Sequence, residues 1–138
     1  MRARCLPVAL CLLAACGSQP HSNAAAVTIG TITPWPAAVV VRQNDRPRIL
    51  AAQLSSNDIR VGGWWSGRVA TTTNVAVVEL RSPSFSFILP RTSYGQFAFR
   101  TRVLAVPSLY RRSFQAKVIA RGAGLGLTDE RTVELVFR

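Results

Sequence analysis

The sequence predicts an all-β domain, a single sandwich of about seven antiparallel strands. Three observations carry this. Apolar and polar residues alternate through 84–89, 96–103 and 114–121, the period-two pattern of strands with one buried face. Turn-forming residues separate the runs at Thr73-Asn74, Ser82-Pro83 and across 122–126. No stretch keeps the 3.6-residue periodicity of a long amphipathic helix.

Taken in order, residues 27–32 read as a short first strand. Thr33-Pro34-Trp35-Pro36 breaks it, because proline fixes φ and holds its predecessor extended. Val39, Val40 and Val41 form the next strand candidate, and 43–47 reads as a turn. Residues 49–54 fit a strand or a short helix, since a short apolar run has no decisive period. Residues 64–72 and 75–81 follow as strands, and 132–138 closes the chain with Val133, Leu135 and Phe137 on one face. Parity points Ala76, Val78, Leu80, Phe114, Ala116, Val118 and Ala120 inward. If these strands share a sheet, its outside carries Glu79, Arg81, Lys117, Arg121, Glu134 and Arg138, whose mixed signs predict cross-strand ion pairs. Arg100 and Arg102 fall outside the other sheet.

Ahead of the domain stand two arginines, Arg2 and Arg4, then an uncharged apolar run from 5 to 15. At about eleven residues it is too short to span a bilayer, which needs roughly twenty. A positive start, a short apolar stretch and small residues at its end make a secretory signal. Leu13-Ala14-Ala15-Cys16 resembles a bacterial lipobox. The resemblance implies cleavage after Ala15 and a diacylglyceryl group on the Cys16 thiol. The expected organisation is a signal peptide at 1–15, a lipidated cysteine and flexible tether at 16–36, and the sandwich at 37–138. An ordinary signal peptide cut after Ala15 is the simpler alternative. Gly17, rather than an acid, follows Cys16, which resembles sorting to the outer membrane or cell surface.

Cys5, Cys11 and Cys16 are the only cysteines, so the mature domain has no internal disulfide or thiolate metal site. The formal charge is +11, and loss of Arg2 and Arg4 leaves +9. Such a surface attracts anionic headgroups or other polyanions. Lys117 is the sole lysine among 17 basic side chains. In a chain rich in Ala, Val, Gly and Pro, that bias is also what a GC-rich genome produces.

Trp65-Ser66-Gly67-Arg68-Val69, then 73–80, Tyr94-Gly95-Gln96-Phe97 and 118–124 resemble segments of the immunoglobulin-like domains of bacterial surface and secreted proteins. The resemblance implies an immunoglobulin-like or fibronectin-III-like sandwich. It departs from the pattern at Arg121, where an acid is common, and in having no cysteine pair between the sheets. Many unrelated functions use this architecture.

His21, in the tether, is the only histidine, which excludes a Ser-His-acid triad within the fold and a histidine zinc site. The six acids are scattered. Asp129-Glu130, the one adjacent pair, reads as a solvated turn. The glycines at 122–126 lack the Lys-Ser/Thr of a phosphate loop. No cofactor, small-molecule substrate or specific nucleic acid is indicated.

The candidate binding surface comprises Trp64, Trp65, Arg100, Arg102, Tyr110, Arg111 and Arg112. Adjacent strand residues face opposite ways, so one of Trp64 and Trp65 belongs to the core. The other packs under the N-terminal segment, the more economical reading, or stands exposed beside arginines where it can stack on sugars or sit at a membrane interface. The resulting expectation is a non-enzymatic envelope module that contacts membrane, protein or anionic polymer. The alternative is a carboxylate-dependent enzyme or an electrostatic adhesin on anionic envelope polymers.

Overall fold

The computed structural model describes residues 26–104, 112–124 and 126–138. The described residues form ten strands in two five-stranded sheets, with no helix. The first sheet runs β1 (Thr28–Ile29), β2 (Ile49–Leu54), β4 (Trp64–Thr71), β8 (Gln96–Arg102), β7 (Arg91–Ser93). The second runs β3 (Asp58–Ile59), β10 (Thr128–Phe137), β9 (Ser113–Gly122), β5 (Val75–Arg81), β6 (Ser86–Ile88). The all-β sandwich expected from alternation is therefore present. Its pairing is not wholly antiparallel, because β1–β2 and β3–β10 are parallel.

Burial follows the alternation. Trp65, Val69, Phe97 and Phe99 of the first sheet belong to one core with Val78, Leu80, Ala116, Val118, Ala120, Val133 and Leu135 of the second. Phe85, Phe87, Phe114 and Phe137 pack against it. Phe99 meets Trp65 and Phe87 edge-on, at centroid distances of 5.0 and 4.9 Å. Such pairs add about 0.5–1.5 kcal/mol each beyond burial. The Trp65 indole N–H donates to the Ser56 carbonyl at 3.0 Å, so its one polar atom is satisfied in the core.

Four sequence readings change, and the open choice at 49–54 is resolved. Ala76 does not face the core; a bulge between Val75 and Val77 shifts the register and puts Val75 inside instead. Val39, Val40 and Val41 make no strand. Val39 forms one isolated bridge to Thr72, and Val40 is exposed. Asp129 and Glu130 lie in β10, not in a turn. Residues 49–54 are strand β2. The described part of the tether, residues 26–36, is laid along the first sheet and contributes β1.

Asp129 ties the two sheets together. Odd residues of β10 face inward, so its carboxylate reaches β2. Asp129 Oδ2 accepts from the Ile49 amide at 2.7 Å, and Arg131 Nη2 donates to the Ile49 carbonyl at 3.1 Å. Arg131 Nη1 and Asp129 Oδ1 are 2.9 Å apart. Both side chains are largely covered, at 11% and 18% exposure.

The outer face of the second sheet carries ion pairs, as expected for Glu79, Arg81 and Arg121, while Glu134 meets the Ser113 hydroxyl instead of a base. Glu79 meets Arg81 and Arg121 at 2.8 and 2.9 Å and accepts from the Ser86 hydroxyl. Lys117 pairs with Glu130 at 3.1 Å. The Ser86 hydrogen bond and the two guanidinium groups hold the Glu79 carboxyl at about 2, below its ordinary 4.5. A lowered folded-state pKa stabilises above the ordinary value, and that contribution is lost as pH falls from about 4.5 towards 2. Acid titration followed by thermal unfolding should therefore show a steep drop in that window for the native chain. Glu79→Gln should unfold at a lower temperature at neutral pH and show a shallower drop.

Gly67 sits where β4 passes the core. A Cβ there would lie 2.6 Å from Phe99 Cε1, 2.7 Å from Leu54 Cδ2 and 3.0 Å from the Gln53 carbonyl oxygen. Gly67→Ala should cost about 1–3 kcal/mol by overpacking, measurable by urea denaturation.

Candidate functional site

Strand pairing decides which candidate residues meet. Trp64 is opposite Arg102 and Ser66 opposite Arg100 on the outer face of the first sheet. The Arg100 guanidinium lies over the Trp64 ring, 4.8 Å from its centroid, within cation–π range. Arg102 Nε donates to the Gly62 carbonyl at 3.1 Å, which braces the side chain against the loop between β3 and β4. Trp64 is 64% exposed, whereas Trp65 is 5% exposed and belongs to the core. Trp65 therefore leaves the candidate surface, and Trp64 does not pack beneath the N-terminal segment.

Trp35 takes that place instead. Its ring lies under the Arg68 guanidinium, 4.0 Å from centroid, and its indole N–H donates to Gln96 Oε1 at 2.8 Å. Gln96 Nε2 donates to the Pro36 carbonyl at 3.1 Å. Arg68 also donates to Gln53 Oε1 and the Ile32 carbonyl. Residues 32–36 thus cover one half of the outer face, at the level of Arg68 and Gln96. Among the described residues, none covers the half bearing Trp64, Ser66, Arg100 and Arg102. Sequence reading missed this cluster because Trp35 and Arg68 are distant in the chain. The available signal was parity, which puts Trp64, Ser66 and Arg68 on one side of β4.

Arg112 is exposed and borders the second sheet, its carbonyl accepting from the Phe137 amide at 3.3 Å. It does not share the Trp64 face. Tyr110 and Arg111 lie outside the described residues.

The charges divide between the sheets. The strands of the first sheet carry Arg68, Arg91, Arg100 and Arg102 and no acid. Asp58, Glu79, Asp129, Glu130 and Glu134 all lie on strands of the second. There they meet bases, or, for Glu134, the Ser113 hydroxyl. Asp45, the remaining acid, caps a turn through the Arg42 amide. Among the described residues, Arg100 and Arg102 pair with no carboxylate.

An open cavity of about 430 Å³ lies beside Asn74, Arg91 and Tyr94. Two of its polar side chains already serve the fold. Arg91 donates to the Val75 and Ala76 carbonyls, and Asn74 bridges Thr72 to the Asp45 carbonyl.

No family model matches the chain, and comparison with curated proteins and with solved structures likewise gives no match. The geometry of the Trp64 face offers guanidinium donors and an aromatic ring, a combination suited to anions.

Two substitutions separate the tryptophans. Trp65→Ala should cost about 3–5 kcal/mol, whereas Trp64→Phe should stay within about 0.5 kcal/mol of the native chain. In fluorescence, iodide quenching should fall sharply in Trp64→Phe, because that indole is open and lies beside a cation.

Proposed function

We propose that the chain is an envelope lipoprotein, held to a bilayer through Cys16, whose immunoglobulin-like sandwich acts as a non-enzymatic binding module. The observation that carries this reading is the order of features along the chain. A basic start and a short apolar run end at Leu13-Ala14-Ala15-Cys16, polar residues follow, and the sandwich begins near Val27.

Strand order supports the immunoglobulin-like part. In letters, β2-β4-β8-β7 corresponds to A-B-E-D, and β10-β9-β5 to G-F-C, the division of such domains. β6 then takes the place of C′, and β3, parallel to β10, that of a split first strand. One hallmark differs: the buried tryptophan, Trp65, is on the second strand of the scheme rather than the third.

The disposition of the acids supports a binding rather than a chemical role. Asp129 and Glu130 face opposite sides of β10, and Asp129 is engaged with Arg131 and Ile49. Glu79, between two arginines, is held as an anion and is a poor proton donor. The outer membrane or cell surface is the proposed location.

Expression in a bacterial host, followed by intact-mass analysis of the membrane fraction, tests the anchor. The expected product starts at Cys16 and carries a diacylglyceryl thioether, and Cys16→Ser abolishes it. An unacylated N-terminus on the native protein would overturn the reading.

A further inference from the structure

The open half of the first sheet has a shape and chemistry of its own. Trp64 stands exposed with Arg100 stacked on it, and Arg102 is cross-strand from Trp64. No acid lies on any strand of this sheet. We infer that Trp64, Arg100 and Arg102 form a docking surface for an anionic lipid bilayer, on which the domain lies with its first sheet towards the headgroups. This inference rests on the membrane-bound reading above.

Three observations single out a bilayer. The first is charge complementarity: the strands of this sheet carry arginines and no acid, whereas the strands of the other carry five acids, four of them paired with bases, so the Trp64 face is the sheet face that attracts an anionic plane. The second is the ring. An indole is amphipathic and settles at headgroup depth, and Trp64 offers it as an exposed projection rather than a cleft. A guanidinium beside it donates to lipid phosphate in a planar fork. Arg102 is braced through Nε on the Gly62 carbonyl, which leaves its terminal nitrogens for phosphate. The third is reach. Ten residues separate Cys16 from Val27, a span of at most about 36 Å. β1 follows directly and is an edge strand of the same sheet, so an anchor at Cys16 keeps that sheet close to the bilayer.

The test uses the mature chain, residues 16–138 with Cys16→Ser, so that no acyl group contributes. Its outcome is thus independent of whether lipidation occurs in the cell. Co-sedimentation with vesicles of phosphatidylglycerol, but not of phosphatidylcholine, is expected, and high salt should release the protein. Arg100→Gln and Arg102→Gln should each weaken partitioning about fivefold. Lipid brominated in its upper chain should quench native fluorescence, and Trp64→Phe should remove that quenching. Arg42→Gln with Arg46→Gln, at the opposite end of the domain, is the control. Equal loss in that control, absence of Trp64 quenching, or equal binding to phosphatidylcholine would overturn the proposal. So would preference for a soluble polyanion: dextran sulfate that shifts Trp64 emission while phosphatidylglycerol does not would assign the face to a polymer.

Discussion

With every cysteine at or before position 16, the contact between two apolar sheet faces must hold the domain together. That contact is built around Trp65, Phe97 and Phe99 on one side and Val78, Leu80, Val118 and Leu135 on the other. Because side chains alternate along each strand, the same pattern that fills the interior assigns every polar residue to an outer face. The surface is therefore a by-product of the core. Had the chain slipped by one residue at β4, Trp65 would stand in water and Trp64 in the interior.

The core also needs its ends closed. At one end Asp129 and Arg131, on the inward side of β10, bind both backbone polar groups of Ile49. An inward-facing ion pair is a costly way to join sheets unless its remaining bonds are satisfied. Here the Ile49 backbone supplies one bond to each side chain, while Arg131 Nε stays buried without a partner, and these bonds also fix how β2 sits above β10. At the same end, Thr72 exchanges hydrogen bonds with Arg48 and donates to Asn74, which in turn holds the Asp45 carbonyl. Apolar burial chooses which faces meet, and these polar contacts choose their alignment.

Much of this was legible in the sequence, for a physical reason. β8 and β9 alternate over seven residues or more, long enough for periodicity to specify both strand and face, whereas in β5 the bulge at Val75–Val77 breaks the parity that points Ala76 inward. β1, β3 and β7 have two or three residues and exist only because a longer neighbour supplies hydrogen bonds. Val39, Val40 and Val41 misled because β-branched side chains favour extended backbone whether or not a partner strand is available. Asp129-Glu130 looked like a turn because polarity alone cannot distinguish a solvated loop from a strand end that reaches across a sandwich. At the candidate site, parity correctly separated the two adjacent tryptophans and placed Arg100 and Arg102 outside. It could not say that Trp35, some thirty residues from Arg68, would cover half of that face and leave Trp64 bare.

The brevity of the outermost strands governs how copies of the chain can meet. β1, β7, β3 and β6 flank the two sheets with two or three residues each. An unpaired strand edge is a template for a neighbour's backbone, and a short one offers few groups to copy. Copies crowded side by side would meet through these blunt rims. Short edges of this kind resist stitching into continuous cross-molecular ribbons.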